Sequence, residues 1–155
     1  AAKAGAQVCH VDASKGMVTW AKENAAASGL SDAPIRWLVD DCVKFVEREI
    51  RRGNTYDAII MDPPSYGRGP KGEIWKIEDM IHPLIRLCAK ILSKDALFFL
   101  VNSYTTGLAP AVLTYMISTE LKSWNGHVDS QEIGLPVTNS GLVLPCGASG
   151  RWESR

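Results

Sequence analysis

Met61-Asp62-Pro63-Pro64-Ser65-Tyr66-Gly67-Arg68-Gly69-Pro70-Lys71-Gly72-Glu73 is the stretch on whose reading the fold turns. The apolar run Ala58-Ile59-Ile60-Met61 leads into a carboxylate, two prolines, an aromatic residue and a basic loop rich in glycine. Pro63 has no N–H to give to a sheet ladder and biases Asp62 toward extended geometry. A strand over 56–61 must therefore stop with Asp62 at its carboxyl end. In open α/β sheets that end is where ligands bind. The same residues also suit a plain corner, in which Asp62 caps local N–H groups and the prolines stiffen the exit.

Upstream, Ala1-Ala2-Lys3-Ala4-Gly5 reads as the last turn of a helix stopped by glycine, so that the chain begins in mid-element. Gln7 to Val11 forms a short apolar strand closed by Asp12, and Ser14 caps a helix whose packing face is Met17, Trp20, Ala21 and Asn24. Ile35 to Val39 is the next strand. It runs into Asp40-Asp41 and a helix with Val43, Val46 and Ile50 on one side, ended by Gly53-Asn54. Arg48, Arg51 and Arg52 near the end of that helix complement its dipole as solvated cations. Downstream, residues 77–92 carry a helical period through Ile77, Ile81, Leu84, Ile85 and Cys88, which Pro83 should kink or split. Ala96 to Val101 is the most hydrophobic run and reads as a buried strand. Pro110 suits the first turn of a helix with Val112, Leu113, Met116 and Ile117 on its face. Two strands, His127 to Ile133 and Gly141 to Leu144, close the chain as a hairpin.

Strand and helix thus alternate. That order predicts an α/β fold with a doubly wound, mostly parallel sheet and an antiparallel C-terminal hairpin. At 155 residues the chain is read as a single domain over 1–155. Seventeen basic and seventeen acidic residues cancel, so no global field draws in a polyanion, and nucleic acid is neither demanded nor excluded. Cys9, Cys42, Cys88 and Cys146 form no C-x-x-C pair or Cys/His metal spacing, so no metal is expected. The first three read as buried reduced thiols, and Cys146 lies in the irregular Leu144-Pro145-Cys146-Gly147. His10, alone in its strand, reads as structural. Without an apolar run long enough to span a membrane or an opening signal peptide, the sequence reads as cytoplasmic.

Asp12, Asp41 (with Asp40 before it) and Asp62 each stand just past an expected strand. A carboxylate after the second strand of a doubly wound sheet is placed to accept hydrogen bonds from both hydroxyls of a ribose. That is the reading of Asp12, with a helix cap beside Ser14 as the alternative. Asp41 stands where a helix begins, so it suits an N-cap as well as an acceptor for an adenine amino group. The repetition tips Asp62 toward a site.

The order of these motifs resembles the class I S-adenosylmethionine-dependent methyltransferases, in particular the ribosomal RNA large-subunit methyltransferase-like group. The resemblance runs through Val11-Asp12-Ala13-Ser14-Lys15, Trp20-Ala21-Lys22-Glu23-Asn24, Asp41-Cys42-Val43-Lys44-Phe45 and Asp62-Pro63-Pro64-Ser65-Tyr66-Gly67-Arg68-Gly69, nearly the whole chain. Asp-Pro-Pro is its most specific element. The resemblance implies a Rossmann-like methyltransferase fold, S-adenosylmethionine as cofactor, S-adenosylhomocysteine as product, and RNA as substrate. It implies that Asp12, with Ala13 beside it, holds the ribose, and that Asp41 holds the adenine amine, with Cys42 contributing backbone. Asp62 would face the methyl donor and the target. Methyl transfer from a sulfonium is an in-line displacement in which positioning and electrostatics supply most of the catalysis. Asp62 and the carbonyls of the rigid Pro63-Pro64 corner are placed to hold a base amino group. Tyr66 would stack on that base or fold onto the core, and Arg68 and Lys71 read as solvated loop residues or phosphate contacts.

Two features depart from the family pattern. Members that methylate carbon-5 of cytosine carry a cysteine nucleophile after the fifth family strand, where this chain has Asn102-Ser103-Tyr104-Thr105-Thr106. That argues against carbon-5 chemistry by a cysteine nucleophile and for transfer to a base nitrogen, or to a target outside RNA. The family's first strand and its glycine-rich loop would precede Ala1, which predicts a truncated domain needing a missing segment or a partner chain to complete its sheet. A nicotinamide-dependent oxidoreductase and a noncatalytic binding module are the competing readings. Asp62-Pro63-Pro64 and the lack of a Tyr-x-x-x-Lys pair weigh against the former.

Overall fold

The computed structural model describes residues 1–69, 72–105 and 107–155. Lys71, a candidate phosphate contact, and Thr106 fall outside the described residues. Contacts divide the chain into two compact units, Ala1–Arg52 and Gly53–Arg155.

In the first unit a 3-10 turn, Ala2–Ala4, ends on Gly5 at φ 89°, a left-handed position that glycine takes without strain. Strand β1 (Val8–Asp12) pairs in parallel with β2 (Ile35–Val39), with Val8 opposite Ile35 and Asp12 opposite Val39. Helix α1 (Lys15–Ala27) joins them and begins on Ser14, whose Oγ accepts from the Met17 N–H at 3.3 Å. The predicted face of α1 is rotated. Met17 and Trp20 stand in solvent at 47% and 58% exposure, and Val18 is the buried residue, with Ala21 and Ala25 half-buried on the same side. A stripe of small residues lets α1 lie close to the strands, whereas the bulk of Met17 and Trp20 suggested the opposite face. Helix α2 (Cys42–Arg52) buries Phe45, Val46 and Glu49, with Val43 and Ile50 half-buried. Its arginines are not all solvated dipole partners: Arg48 pairs with Asp40, and Arg52 reaches Glu49 at 2.9 Å.

The second unit holds a four-stranded sheet in the order β3-β6-β8-β7 and a separate hairpin, β4 with β5. Strand β3 (Ala58–Met61) runs parallel to β6 (Phe98–Ser103), Met61 opposite Val101. Strand β8 (Val143–Ser154) is antiparallel to β6 and to β7 (Gly126–Pro136). The α/β class, the parallel pairs and the antiparallel C-terminal hairpin are as expected from sequence. Helix α3 (Ile77–Ala89) carries Pro83 in its interior without splitting, and Ile91 and Leu92 lie beyond its end. Tyr56, expected in the third strand, makes an isolated bridge to Leu92 instead. Helix α4 (Pro110–Glu120) starts on Pro110, as its missing N–H predicts. Glu120 at its end accepts from Arg86 Nε at 3.1 Å and lies 2.7 Å from His82 Nε2, which ties α4 to α3.

The core sits where α4 covers the sheet. Phe99, Val101, Leu113 and Ile117 are fully buried, and Trp152 on β8 stands opposite Phe99 on β6. Each such side chain contributes roughly 1.5–3 kcal/mol by leaving water. Strand β8 extends ten residues past the predicted Leu144 end, through the glycine-rich Pro145 to Ser154. Its small residues are there for packing. A Cβ on Gly150 would come 2.8 Å from Leu113 Cβ and Ile117 Cδ1, and one on Gly147 would strike the Ser103 carbonyl. Low strand propensity is accepted because only bare backbone fits between α4 and β6.

Candidate active site

The predicted residues lie in two groups, one in each unit. In the first, Asp12 closes β1, and its backbone carbonyl accepts from the Asp40 N–H at 3.0 Å, so the ends of β1 and β2 stay together. Asp12 is half-buried, and its Oδ1 accepts from the Ser14 N–H at 2.6 Å. That bond fixes the rotamer and leaves the other carboxylate oxygen with its lone pairs at the strand end. Asp41 Oδ1 accepts from the Lys44 N–H at 2.9 Å, so it does cap α2, and it is exposed. Ala13 is exposed beside Asp12. Cys42 is exposed rather than buried, at the first position of α2, with its Sγ 3.8 Å from the Val11 carbonyl oxygen. The reason is positional: the first turn of α2 lies over the strand ends, clear of the core that Phe45 and Val46 enter. Of the other thiols expected inside, Cys88 is buried and Cys9 half-buried. His10 packs on Trp37 at 5.2 Å between ring centroids, and its Nε2 is buried with no hydrogen-bond partner.

In the second unit the Asp62-Pro63-Pro64-Ser65 corner leaves the carboxyl end of β3. Asp62 is exposed, Pro63 half-buried, and Tyr66 exposed at 51%, so Tyr66 is not folded onto the core. The corner is held from three sides. Trp75 Nε1 donates to the Pro64 carbonyl at 2.6 Å, the Ser65 and Thr105 hydroxyls lie 2.6 Å apart, and the Ile77 N–H donates to the Ser65 carbonyl at 3.1 Å. The expected loop from Gly67 onward is in part a hairpin: β4 (Tyr66–Arg68) pairs antiparallel with β5 (Ile74–Lys76). This pairing places Gly67 opposite Trp75, and a Cβ there would sit 3.6 Å from Trp75 Cβ. Arg68 Nε donates to the Tyr66 hydroxyl at 2.9 Å, so Arg68 orients the ring.

Trp75, Ser65 and Thr105 were not singled out from sequence. A readable signal existed for Trp75. Tyr66-Gly67-Arg68 and Ile74-Trp75-Lys76 flank a glycine-rich turn, which is a hairpin pattern. The Pro64 carbonyl, expected to face a substrate, is instead engaged by the Trp75 indole. The donor set fits an adenosine-bearing cofactor: Asp12 offers a fixed carboxylate with unused lone pairs at the end of β1, and Asp41 an exposed one just past the end of the paired strand β2. Among the described residues no group of three or more His, Cys, Asp or Glu side chains could hold a metal ion, and no helix is long and apolar enough to cross a membrane.

No protein-family model matches the chain. The ribosomal RNA large subunit methyltransferase K/L of Pseudoalteromonas atlantica is 35% identical over 86 residues, 55% of this chain and 12% of that protein. A crystal structure of the SAM-dependent methyltransferase from Agrobacterium tumefaciens matches with a TM-score of 0.92 and 39% identity, over 99% of this chain and 51% of that one. The SMU.776 protein complexed with SAH matches with a TM-score of 0.71 at 21% identity, over 93% of this chain and 38% of that one, a likeness that shows the fold. The chain therefore spans about half the length of its Agrobacterium neighbour and about an eighth of the Pseudoalteromonas relative.

Proposed function

We propose, for a chain that belongs to the class I S-adenosylmethionine-dependent methyltransferases, that it takes part in methyl transfer to a nucleobase nitrogen of RNA. Residues 1–155 serve in this reading as one catalytic domain. The observation that carries it is the Asp62-Pro63-Pro64-Ser65 corner, clamped by Trp75, Thr105 and Ile77 while its carboxylate and Tyr66 remain open to solvent. A corner that served only to turn the chain would not need an acid and an aromatic facing outward.

When bound, S-adenosylmethionine supplies an electrophilic methyl group. Asp12 with Ala13 would hold its ribose, and Asp41 with the backbone of Cys42 its adenine. Asp62 accepts a hydrogen bond from the acceptor N–H, which orients the nitrogen lone pair for attack. The proton that the nitrogen loses on methylation would pass to an Asp62 oxygen or to solvent. The Pro63 carbonyl is a second acceptor at the same corner, and Pro64 acts as the fixed point through Trp75. Tyr66, oriented by Arg68, supplies a stacking face. No covalent thiol step is required for attack by a nitrogen.

Labelled methyl transfer from S-adenosylmethionine to bulk ribosomal RNA, followed by nucleoside digestion, tests this reading. Label on a ring or exocyclic nitrogen is the expected result. Label on the ribose, or on added protein in place of RNA, overturns it.

A further inference from the structure

A cleft of about 360 Å³ opens beside the corner, between the segment joining β6 to α4 and the β7–β8 hairpin. One wall is Thr105, Gly107, Leu108, Ala109 and Pro110, and the other is Pro145, Cys146 and Gly147 with Glu132. We infer that this cleft is a subsite for the nucleobase next to the methylated one, with Glu132 reading an amino group on its edge.

Its link to the corner is direct, since Thr105 lines the cleft and its hydroxyl meets that of Ser65. Its walls are set by the fold. Thr105 N–H is held by the buried Ser103 Oγ at 3.2 Å, and Gly147 lies so close to the Ser103 carbonyl that no side chain fits. Among the described residues neither lysine nor arginine lines it, so a phosphate finds no cationic partner in that lining. Two prolines, Pro110 and Pro145, offer flat apolar faces to a ring. Glu132 is the carboxylate among the described lining residues, and a carboxylate accepts from the exocyclic amine of cytosine but finds no donor at that position in uracil. The volume falls in the range of small-molecule sites. Cys146 points its thiol at the Leu144 carbonyl, at 3.3 Å, and is wall rather than reader. This inference rests on the RNA reading above and adds a sequence preference to it.

The test uses ligand-observed NMR on the full-length protein saturated with S-adenosylhomocysteine, so that the cofactor site is closed to nucleosides. Cytidine and uridine are the probes. Wild-type protein is expected to favour cytidine, and Glu132→Ala to weaken cytidine about tenfold while leaving uridine unchanged. Ala109→Trp, which fills the cleft from an exposed position, is expected to abolish both contacts and to raise the KM for RNA. S-adenosylhomocysteine binding, followed by calorimetry, stays within about twofold of wild type in both variants. Equal binding of cytidine and uridine, or unchanged RNA KM in Ala109→Trp, overturns the subsite. Loss of S-adenosylhomocysteine binding in both Glu132→Ala and Glu132→Gln also overturns it, because Glu132 would then be serving the fold. Methyl transfer to RNA that ignores both substitutions removes the subsite and leaves the proposed function standing. A cytidine preference in a protein that transfers no methyl to RNA does the reverse.

Discussion

Trp75→Phe separates a functional corner from a merely stable one. The substitution keeps an aromatic side chain at the position opposite Gly67 and removes the indole N–H that donates to the Pro64 carbonyl at 2.6 Å. A neutral hydrogen bond of this kind contributes about 1 kcal/mol to stability. For a chain of this size that shifts Tm by about 2–4 °C. The larger effect falls on positioning. With Pro64 released, the corner relies on the Ser65–Thr105 and Ile77–Ser65 bonds, and a displacement approaching 1 Å at Asp62 is enough to reduce kcat by about tenfold or more. Trp124→Phe is the matched control. Its indole donates to the Ser93 carbonyl at 2.9 Å, it is half-buried like Trp75, and it lines a different cleft together with Lys122 and His127. Both variants should melt a few degrees early, and only Trp75→Phe should lose turnover in a labelled-methyl assay. Equal kcat in the two variants would refute the positioning argument, since stability alone would then explain both.

Gly150→Val should lower stability by roughly 1–3 kcal/mol, read as an earlier chemical-denaturation midpoint, because its side chain meets Leu113 and Ile117 at 2.8 Å beneath α4. Asp12→Ala should weaken S-adenosylhomocysteine by about tenfold or more in calorimetry, the loss of a charge-assisted bond. Ser14→Ala, by contrast, removes a helix cap, costs about 1 kcal/mol of stability and leaves that affinity alone. Cys146→Ser should keep most of the methyl transfer; its near-complete loss would point to a covalent thiol step and against direct attack by nitrogen.

The strand ends that carry the acids were legible because their chemistry is local. An apolar run stopped by Asp-Pro-Pro has to end there, which puts Asp62 just past β3, and the shorter apolar run before Asp12 likewise puts that acid at the end of β1. The Ser14 cap and Pro110 helix start follow from equally local rules. What was not legible depends on neighbours far along the chain. Gly147, Ala148 and Gly150 have poor strand propensity, and only the approach of Ser103 from β6 and Leu113 from α4 explains why they are strand. The buried face of α1 does not follow from side-chain bulk, because the strands accept Val18 and alanines and leave Trp20 outside. The clamp on the corner joins residues eleven and forty positions apart, Pro64 to Trp75 and Ser65 to Thr105, and no spacing rule connects them.

Asp62 carries the heaviest assignment, and it is tested most directly by measuring methyl incorporation into ribosomal RNA together with S-adenosylhomocysteine affinity in Asp62→Ala and Asp62→Asn. Asp62 is exposed and outside the core, so both variants should fold. Turnover should fall by about a hundredfold or more in Asp62→Ala, with partial recovery in Asp62→Asn, whose amide oxygen still accepts a hydrogen bond. Wild-type turnover in Asp62→Ala, with cofactor affinity intact, would show that the corner is only a corner.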